Sequence, residues 1–304
     1  MHQPDLYASS GDVQLAIYTW GEKPRSDHPR EVIVLAHGFP DRALFWEKVA
    51  EKLEKDFFVV AYDMRGCANS THITGSKHYR FEPLVTDLFA VIDAVSPAQK
   101  VHLVGHDWGG IYGWDAIYDP EGAKRIASFT TMSPSLEQVG FYLKRRIMRP
   151  TPRNLLQLFG QLLRNSLMTF FTLPVLPELV FLTGLGTVMF RNLVARFEPR
   201  IRFQKNDGME GDAIRYLGIY RANLLQRTLL PRKNITTVPV HVLMAEQDPF
   251  LPPPVFESSH EYTTHYSQST IDAAHWAPLS RPDEVADTVR YFVQSNSQVT
   301  LAAA

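Results

Sequence analysis

The chain has 304 residues, of which 45% are apolar and 21% charged, and its formal net charge is −1. That balance excludes a disordered chain and gives no electrostatic reason to expect nucleic acid or an acidic partner. The length admits one large domain with an insertion or two small domains, while the single cysteine, Cys67, excludes an internal disulfide and suits a reducing, cytoplasmic compartment.

From the N-terminus, Met1 to Asp5 is polar and lacks a basic region followed by an apolar run, so no secretory signal is expected. Val13 to Ile17 places its bulky apolar residues at every second position, as a half-exposed strand does. Val32–Ala36, Phe57–Tyr62, Val101–Val104, Ile126–Met132 and Val240–Met244 are short runs dominated by apolar, β-branched and aromatic residues. Strands covered on both faces of a parallel sheet read this way. Helical patterns lie between them over Leu44–Leu53, Pro83–Val95, Gly110–Tyr118 and Pro282–Phe292. The alternation predicts an α/β fold, a doubly wound and mostly parallel sheet.

Between residues 138 and 234 the alternation stops and the pattern is mostly helical, so an inserted helical lid is expected there. The core domain is then residues 1–137 and 235–304. Leu167 to Phe190 is apolar enough to raise a membrane span, but Pro174, Pro177, Glu178, Gly184 and Gly186 break it. Short helices over an apolar cavity are the expectation, with no integral membrane span. Lys144 to Arg149 reads as a solvated face, and contact of the lid with a membrane stays open. The final Leu301–Ala304 carries no fold signal and reads as a cloning remnant.

In parallel sheets, reactive residues collect in loops beyond the carboxyl ends of the strands. Gly105-His106-Asp107-Trp108-Gly109-Gly110 joins a predicted strand to a helix in the frame of the G-x-S-x-G nucleophile elbow, with aspartate at the serine position. A carboxylate at a helix N-terminus is favoured by the helix dipole and attacks carbon without a base to activate it. A helix-capping Asp in a tight turn explains the residue alone, but not its partners. His37-Gly38-Phe39-Pro40 follows another strand; the N–H groups of Phe39 and Trp108 are expected to form an oxyanion hole. Asp63 and Arg65 are read as loop-fixing. Asp248 lies 141 residues after Asp107 and His275 a further 27 on, in the order nucleophile, acid, histidine. His275 would activate water, and Asp248, with Glu246 as competitor, would orient its ring. His37, Pro40 and Trp276 are expected to contact substrate.

These motifs resemble the epoxide hydrolase branch of the α/β-hydrolase superfamily from about Val13 to Phe292: H-G-x-P at His37–Pro40, the elbow at Gly105–Gly110, and the acid and base at Asp248 and His275. The resemblance implies lid tyrosines that protonate the epoxide oxygen, and Tyr220 falls where the more distal one stands. Where the other usually lies, this chain has Leu167, Met168 and Thr169, leaving Tyr142 or Tyr216 as candidates for a second donor. The expected reaction opens a small lipophilic epoxide to a vicinal diol, with water as sole co-substrate and neither metal nor organic cofactor. Haloalkane dehalogenases resemble the same site and use a Trp at the place of Trp108, yet a halide leaves without an acid and gives Tyr220 no role. A non-catalytic small-molecule-binding protein on this fold is a third reading. A serine esterase is disfavoured because the elbow has no serine. Assembly as a homodimer is left open.

Overall fold

A computed structural model describes residues 3–199, 201 and 208–297; the Leu301–Ala304 tail lies outside them. One eight-stranded sheet runs through the molecule in the order β1-β2-β4-β3-β5-β6-β7-β8. Strands β1 (Leu6–Ser10) and β2 (Val13–Trp20) pair antiparallel with each other, and β2 pairs antiparallel with β4. The rest is parallel: β3 (Val32–Ala36), β4 (Phe58–Tyr62), β5 (Val101–Gly105), β6 (Ile126–Thr131), β7 (Val240–Ala245) and β8 (Tyr266–Ile271). Every residue of β3 to β7 is buried, which is why those strands read as apolar runs rather than as alternating ones. The mostly parallel sheet expected from the alternation of elements is the one observed.

Helices α1 (Glu47–Leu53), α2 (Phe81–Val95), α3 (Trp108–Tyr118) and α4 (Pro120–Arg125) connect and cover the first six strands. Among the described residues six more helices lie between β6 and β7: α5 (Leu136–Met148), α6 (Pro152–Arg164), α7 (Ser166–Phe171), α8 (Leu176–Leu182), α9 (Leu185–Phe197) and α10 (Met209–Leu229). The short α11 (Ala277–Ser280) and α12 (Pro282–Ser295) close the chain, α12 against α1. Among the described residues no single helix is long and apolar enough to cross a membrane; α8 and α9 would suffice together, but they meet at 83°.

Helix α10 ties the insertion to the sheet at two places. Asp212, near its start, receives the Arg42 guanidinium at 2.6 Å, and Arg227, near its end, reaches Asp115 at 2.6 Å and Glu137 at 2.8 Å. Asp212, Asp115 and Glu137 are largely shielded from water, so these pairs are screened less than surface pairs and hold the helix in register. Asp63 and Arg65 fix loops as expected: Arg65 forms two 2.6 Å bonds to Asp87, and Asp63 accepts from the Ala43 N–H at 2.8 Å and the Tyr18 hydroxyl at 3.0 Å.

Candidate active site

Asp107 sits where β5 ends and α3 begins, at φ 49° and ψ −125°, in the left-handed half of backbone space that L residues rarely adopt. The turn is possible because its neighbours lack side chains. A Cβ on Gly109 would lie 2.2 Å from the Ala36 carbonyl oxygen, and one on Gly38 would lie 2.3 Å from Oδ2 of Asp107 itself. The bend lifts the carboxylate out of the strand end and aims it at the loop after β3. There Oδ2 accepts a 2.7 Å hydrogen bond from the Phe39 N–H, and the Trp108 N–H also donates to the carboxylate. Burial raises the Asp107 carboxyl above its usual range, and His275 and these two N–H groups offset only part of that rise.

Oδ1 faces the histidine. His275 Nε2 stands 3.9 Å from it, and Nδ1 is 2.8 Å from Asp248 Oδ2. The other oxygen of Asp248 accepts from the N–H groups of Phe250 (2.7 Å) and Leu251 (2.9 Å), so the carboxylate is fixed before it fixes the imidazole. Burial raises Asp248, but His275 and the two N–H donors outweigh it and hold the carboxyl below its usual range. Burial alone would lower His275; Asp248 first, then Asp107 and Asp41, raise it to about 9. Glu246, the competing acid, is exposed, whereas Asp248 is in contact with the ring.

One cavity takes in Asp107, His275 and Tyr220, with Phe39, Leu167, Met168, Phe171, Phe190, Leu193, Phe250 and Trp276 as its remaining wall. Tyr220 is packed edge-on against Trp108 (4.8 Å between ring centres) and Phe39 (5.3 Å), and burial followed by the Asp107 charge drives its hydroxyl well above the ordinary tyrosine range. It is therefore a phenol, not a phenolate, at any ordinary pH.

Four expected substrate contacts are not found on this wall. His37 is fully buried, its Nδ1 bonded to the Gly38 carbonyl (3.0 Å) and its Nε2 accepting from the Met64 N–H (3.0 Å); burial lowers its pKa to about 4. Both ring nitrogens are spent on backbone, so it shapes the loop instead. Pro40 is buried behind Phe39 in the same turn. Tyr142 lies beneath the Arg146 guanidinium at 3.7 Å and borders a different hollow, with Gln157, Arg164 and Pro254. Tyr216, one turn before Tyr220 on α10, points into the interior near His37 and Cys67. The cavity wall at the position of the usual second hydroxyl is Leu167 and Met168, so Tyr220 supplies the only tyrosine hydroxyl there among the described residues.

Two residues that the motifs did not single out belong to the surroundings. Asp41 is half-buried near Asp107 and His275 with its Oδ2 enclosed, and desolvation, then the Asp107 charge, raises its carboxyl to about 7 against the pull of His275 and the Trp276 indole. His106 stacks on Phe45 at 4.8 Å and holds the His275 carbonyl at 2.7 Å through Nε2. Burial lowers its pKa to about 3, so it is neutral and its Nε2–H is the donor of that bond. As to metals, ligand atoms of His37, Asp63 and Cys67 lie within 4.8 Å of one another. The His37 nitrogens and Asp63 oxygens are already engaged by backbone and the Tyr18 hydroxyl, which leaves no open set of lone pairs.

A family model described as the α/β-hydrolase fold matches residues 31–282. Among curated proteins, the chain is similar to a probable oxidoreductase EphD of Mycobacterium tuberculosis, 30% identical over 293 residues that cover 94% of this chain and 49% of that protein. It is also 25% identical to epoxide hydrolase 4 of Homo sapiens, over 88% of this chain and 74% of that protein. The chain thus spans about half the length of the first curated relatives it matches. Among solved structures, an epoxide hydrolase of Bacillus megaterium superposes with a TM-score of 0.74 at 22% identity, covering 95% of this chain and 99% of that one. Epoxide hydrolase A of Mycobacterium thermoresistibile gives 0.70 at 21% identity, covering 95% and 97%.

Proposed function

This chain belongs to the α/β-hydrolase fold family, and on that premise we propose that it hydrolyses an epoxide to a vicinal diol through a covalent ester on Asp107. One observation carries the reading: a carboxylate, a protonated phenol and an acid-backed imidazole border a single apolar cavity.

Oδ2 of Asp107 is occupied by backbone N–H groups, which leaves Oδ1 to attack an epoxide carbon. As the ring opens, Tyr220 delivers its proton to the oxygen; alkoxide is otherwise a poor leaving group at neutral pH. Forming the ester removes the negative charge of Asp107. That charge is one of the groups holding His275 at about 9, so alkylation lowers the imidazole pKa and frees Nε2 to act as a base. His275 then takes a proton from water, the hydroxide attacks the ester carbonyl, and the Phe39 and Trp108 N–H groups hold the oxyanion that grows on Oδ2. Collapse breaks the bond from the carboxyl carbon to the substrate oxygen, which takes the proton of the new carboxyl group and leaves as the diol. The imidazolium, stabilised until then by Asp248, returns its proton through water to the Tyr220 phenolate, restoring carboxylate, phenol and imidazole.

Turnover in ¹⁸O-labelled water tests the covalent step. With enzyme in excess, the first diol should carry unlabelled oxygen from Asp107, and label should enter the Asp107 peptide over later cycles. A first diol labelled only from solvent means that water attacks the epoxide directly. Aryl and alkyl epoxides assayed beside bromoalkanes test the substrate class; halide release without diol formation would overturn the epoxide reading.

A further inference from the structure

Helix α6 turns its apolar side to water. Two of its polar side chains point inward: Gln161 is 1% exposed and donates to the Phe250 carbonyl at 3.0 Å, and Gln157 accepts from Arg146. Leu155, Leu156, Phe159, Leu162 and Leu163, spaced i, i+1, i+4, i+7 and i+8, form a stripe on the outer side. Leu156 is 73% and Phe159 61% exposed. A contiguous stripe of this size marks a surface that meets apolar matter.

Directly before the stripe, the junction of α5 and α6 forms an open hollow of about 630 Å³ whose wall includes Arg145, Arg146, Arg149 and Arg153 and a single carboxylate, Glu257. Arg145 pairs with Glu261 and Arg146 with Glu257, while Arg149 and Arg153 are exposed. Over residues 138–197 the sequence holds eight Lys and Arg against one acid, Glu178, a net +7 in a chain whose total is −1. Charge decides between the occupants. A second copy meeting the same face would bring arginines against arginines. An anionic phospholipid satisfies both halves of the face, with phosphate for the guanidinium groups and acyl chains for the leucines.

We propose that the α5–α6 face docks on an anionic phospholipid bilayer, a headgroup phosphate entering the arginine hollow and Leu156 and Phe159 lying at the level of the acyl chains. A second cavity, about 210 Å³, lies among α7, α8 and α9 and shares Leu167, Phe171, Phe190 and Leu193 with the wall of the Asp107 cavity. It reaches the surface at Met189, which is exposed. The two cavities are therefore neighbours, with these apolar side chains between the outside of the insertion and the nucleophile. The docking rests on exposure and charge, not on the bond broken at Asp107, and its test reads lipid binding alone.

The full chain is sedimented with phosphatidylcholine vesicles with and without phosphatidylglycerol. Binding should be at least about tenfold tighter to the anionic vesicles and fall steeply with salt, since each basic side chain near such a surface contributes about fivefold. Leu156→Glu with Phe159→Glu should abolish it, and Arg149→Ser with Arg153→Ser should weaken it by more than about tenfold. All four residues are exposed, so thermal unfolding and epoxide turnover in free solution should stay at wild-type values. The proposal is overturned by equal affinity for neutral vesicles or by unchanged binding of the Leu156/Phe159 variant. Stabilisation by inorganic phosphate without vesicle binding would overturn it too, as would a wild-type dimer that the same variant splits, since a second copy then covers the face.

Discussion

The sheet domain and the helical insertion invert each other's polarity. In the sheet domain the reactive groups are buried: His106, Asp107, Asp248 and His275 are almost without contact to water, held by hydrogen bonds and by apolar strands. In the insertion apolar groups are exposed, along α6 and again at Leu182 and Val188 in α8 and α9. The two patterns serve different ends. Charges must be shielded from water before Asp107 can raise the pKa of His275 across 3.9 Å, because the same pair in water interacts only weakly. In the proposed reaction the insertion contributes one hydroxyl, from Tyr220, to a cavity wall that is otherwise apolar on that side. If that division is right, substitutions in the sheet domain abolish or stall the reaction, and those in the insertion tune it.

The largest effect is expected at Asp107. Asp107→Asn keeps the shape of the elbow but removes the nucleophile, and turnover should fall by about 10⁴-fold or more. The same change removes a negative charge from His275, so the imidazole pKa should drop below its wild-type value of about 9, as ring-proton NMR would show. Residual turnover near wild type would break the comparison at its centre. His275→Gln should leave the first step intact: a stoichiometric burst of ester on Asp107, visible by mass spectrometry, followed by a stall. A smaller loss, about 10²- to 10³-fold, is expected for Tyr220→Phe, and only in ester formation; hydrolysis of a preformed ester should be unchanged. Equal loss in both steps would move Tyr220 from acid to packing. The insertion is also where activity can be gained. Met168 lines the cavity wall that lacks a second hydroxyl, and Met168→Tyr should speed ring opening several-fold without altering ester hydrolysis.

Much of the sheet domain was legible because burial on both faces leaves a sequence mark. Strands β3, β4, β5 and β7 are apolar runs closed by glycine, histidine or acidic turns, and those turns hold the motifs. The edge strands left no such mark. In β8, Tyr266-Ser267-Gln268-Ser269-Thr270-Ile271 is mostly polar because only its end is buried, and β1 buries only two of its five residues. Motif order was enough to name Asp107, Asp248 and His275 as candidates. The resemblance already favours Asp248 over Glu246, and the turn geometry gives the physical reason: one carboxylate points inward and the other to solvent. Tyr142 and Tyr216 could not be ranked from sequence, since which face of α5 or α10 meets the cavity depends on how those helices pack. Asp41 is hidden for the same reason: one residue beyond the H-G-F-P motif, it looks like a surface acid until the fold encloses its carboxyl oxygen.

Asp41 also gives the subtlest test of how the sheet domain manages its charges. Its carboxyl is raised to about 7, and an unfolded chain would hold it near 3.8, so the native state binds this proton more tightly than the unfolded one. Ionising it therefore costs stability: the cost is absent below pH 4, grows between there and about pH 7, and is complete above. Asp41→Asn removes a group that must be buried as a charge at high pH. The variant should match wild type in Tm at pH 4 and exceed it by a few degrees at pH 8. It also withdraws one of the three negative groups that raise His275, so the neutral imidazole should persist to lower pH and the acid limb of ester hydrolysis should shift downward. A Tm difference independent of pH would show that Asp41 acts through packing alone. An unmoved acid limb would show that Asp248 and Asp107 set the imidazole pKa without it.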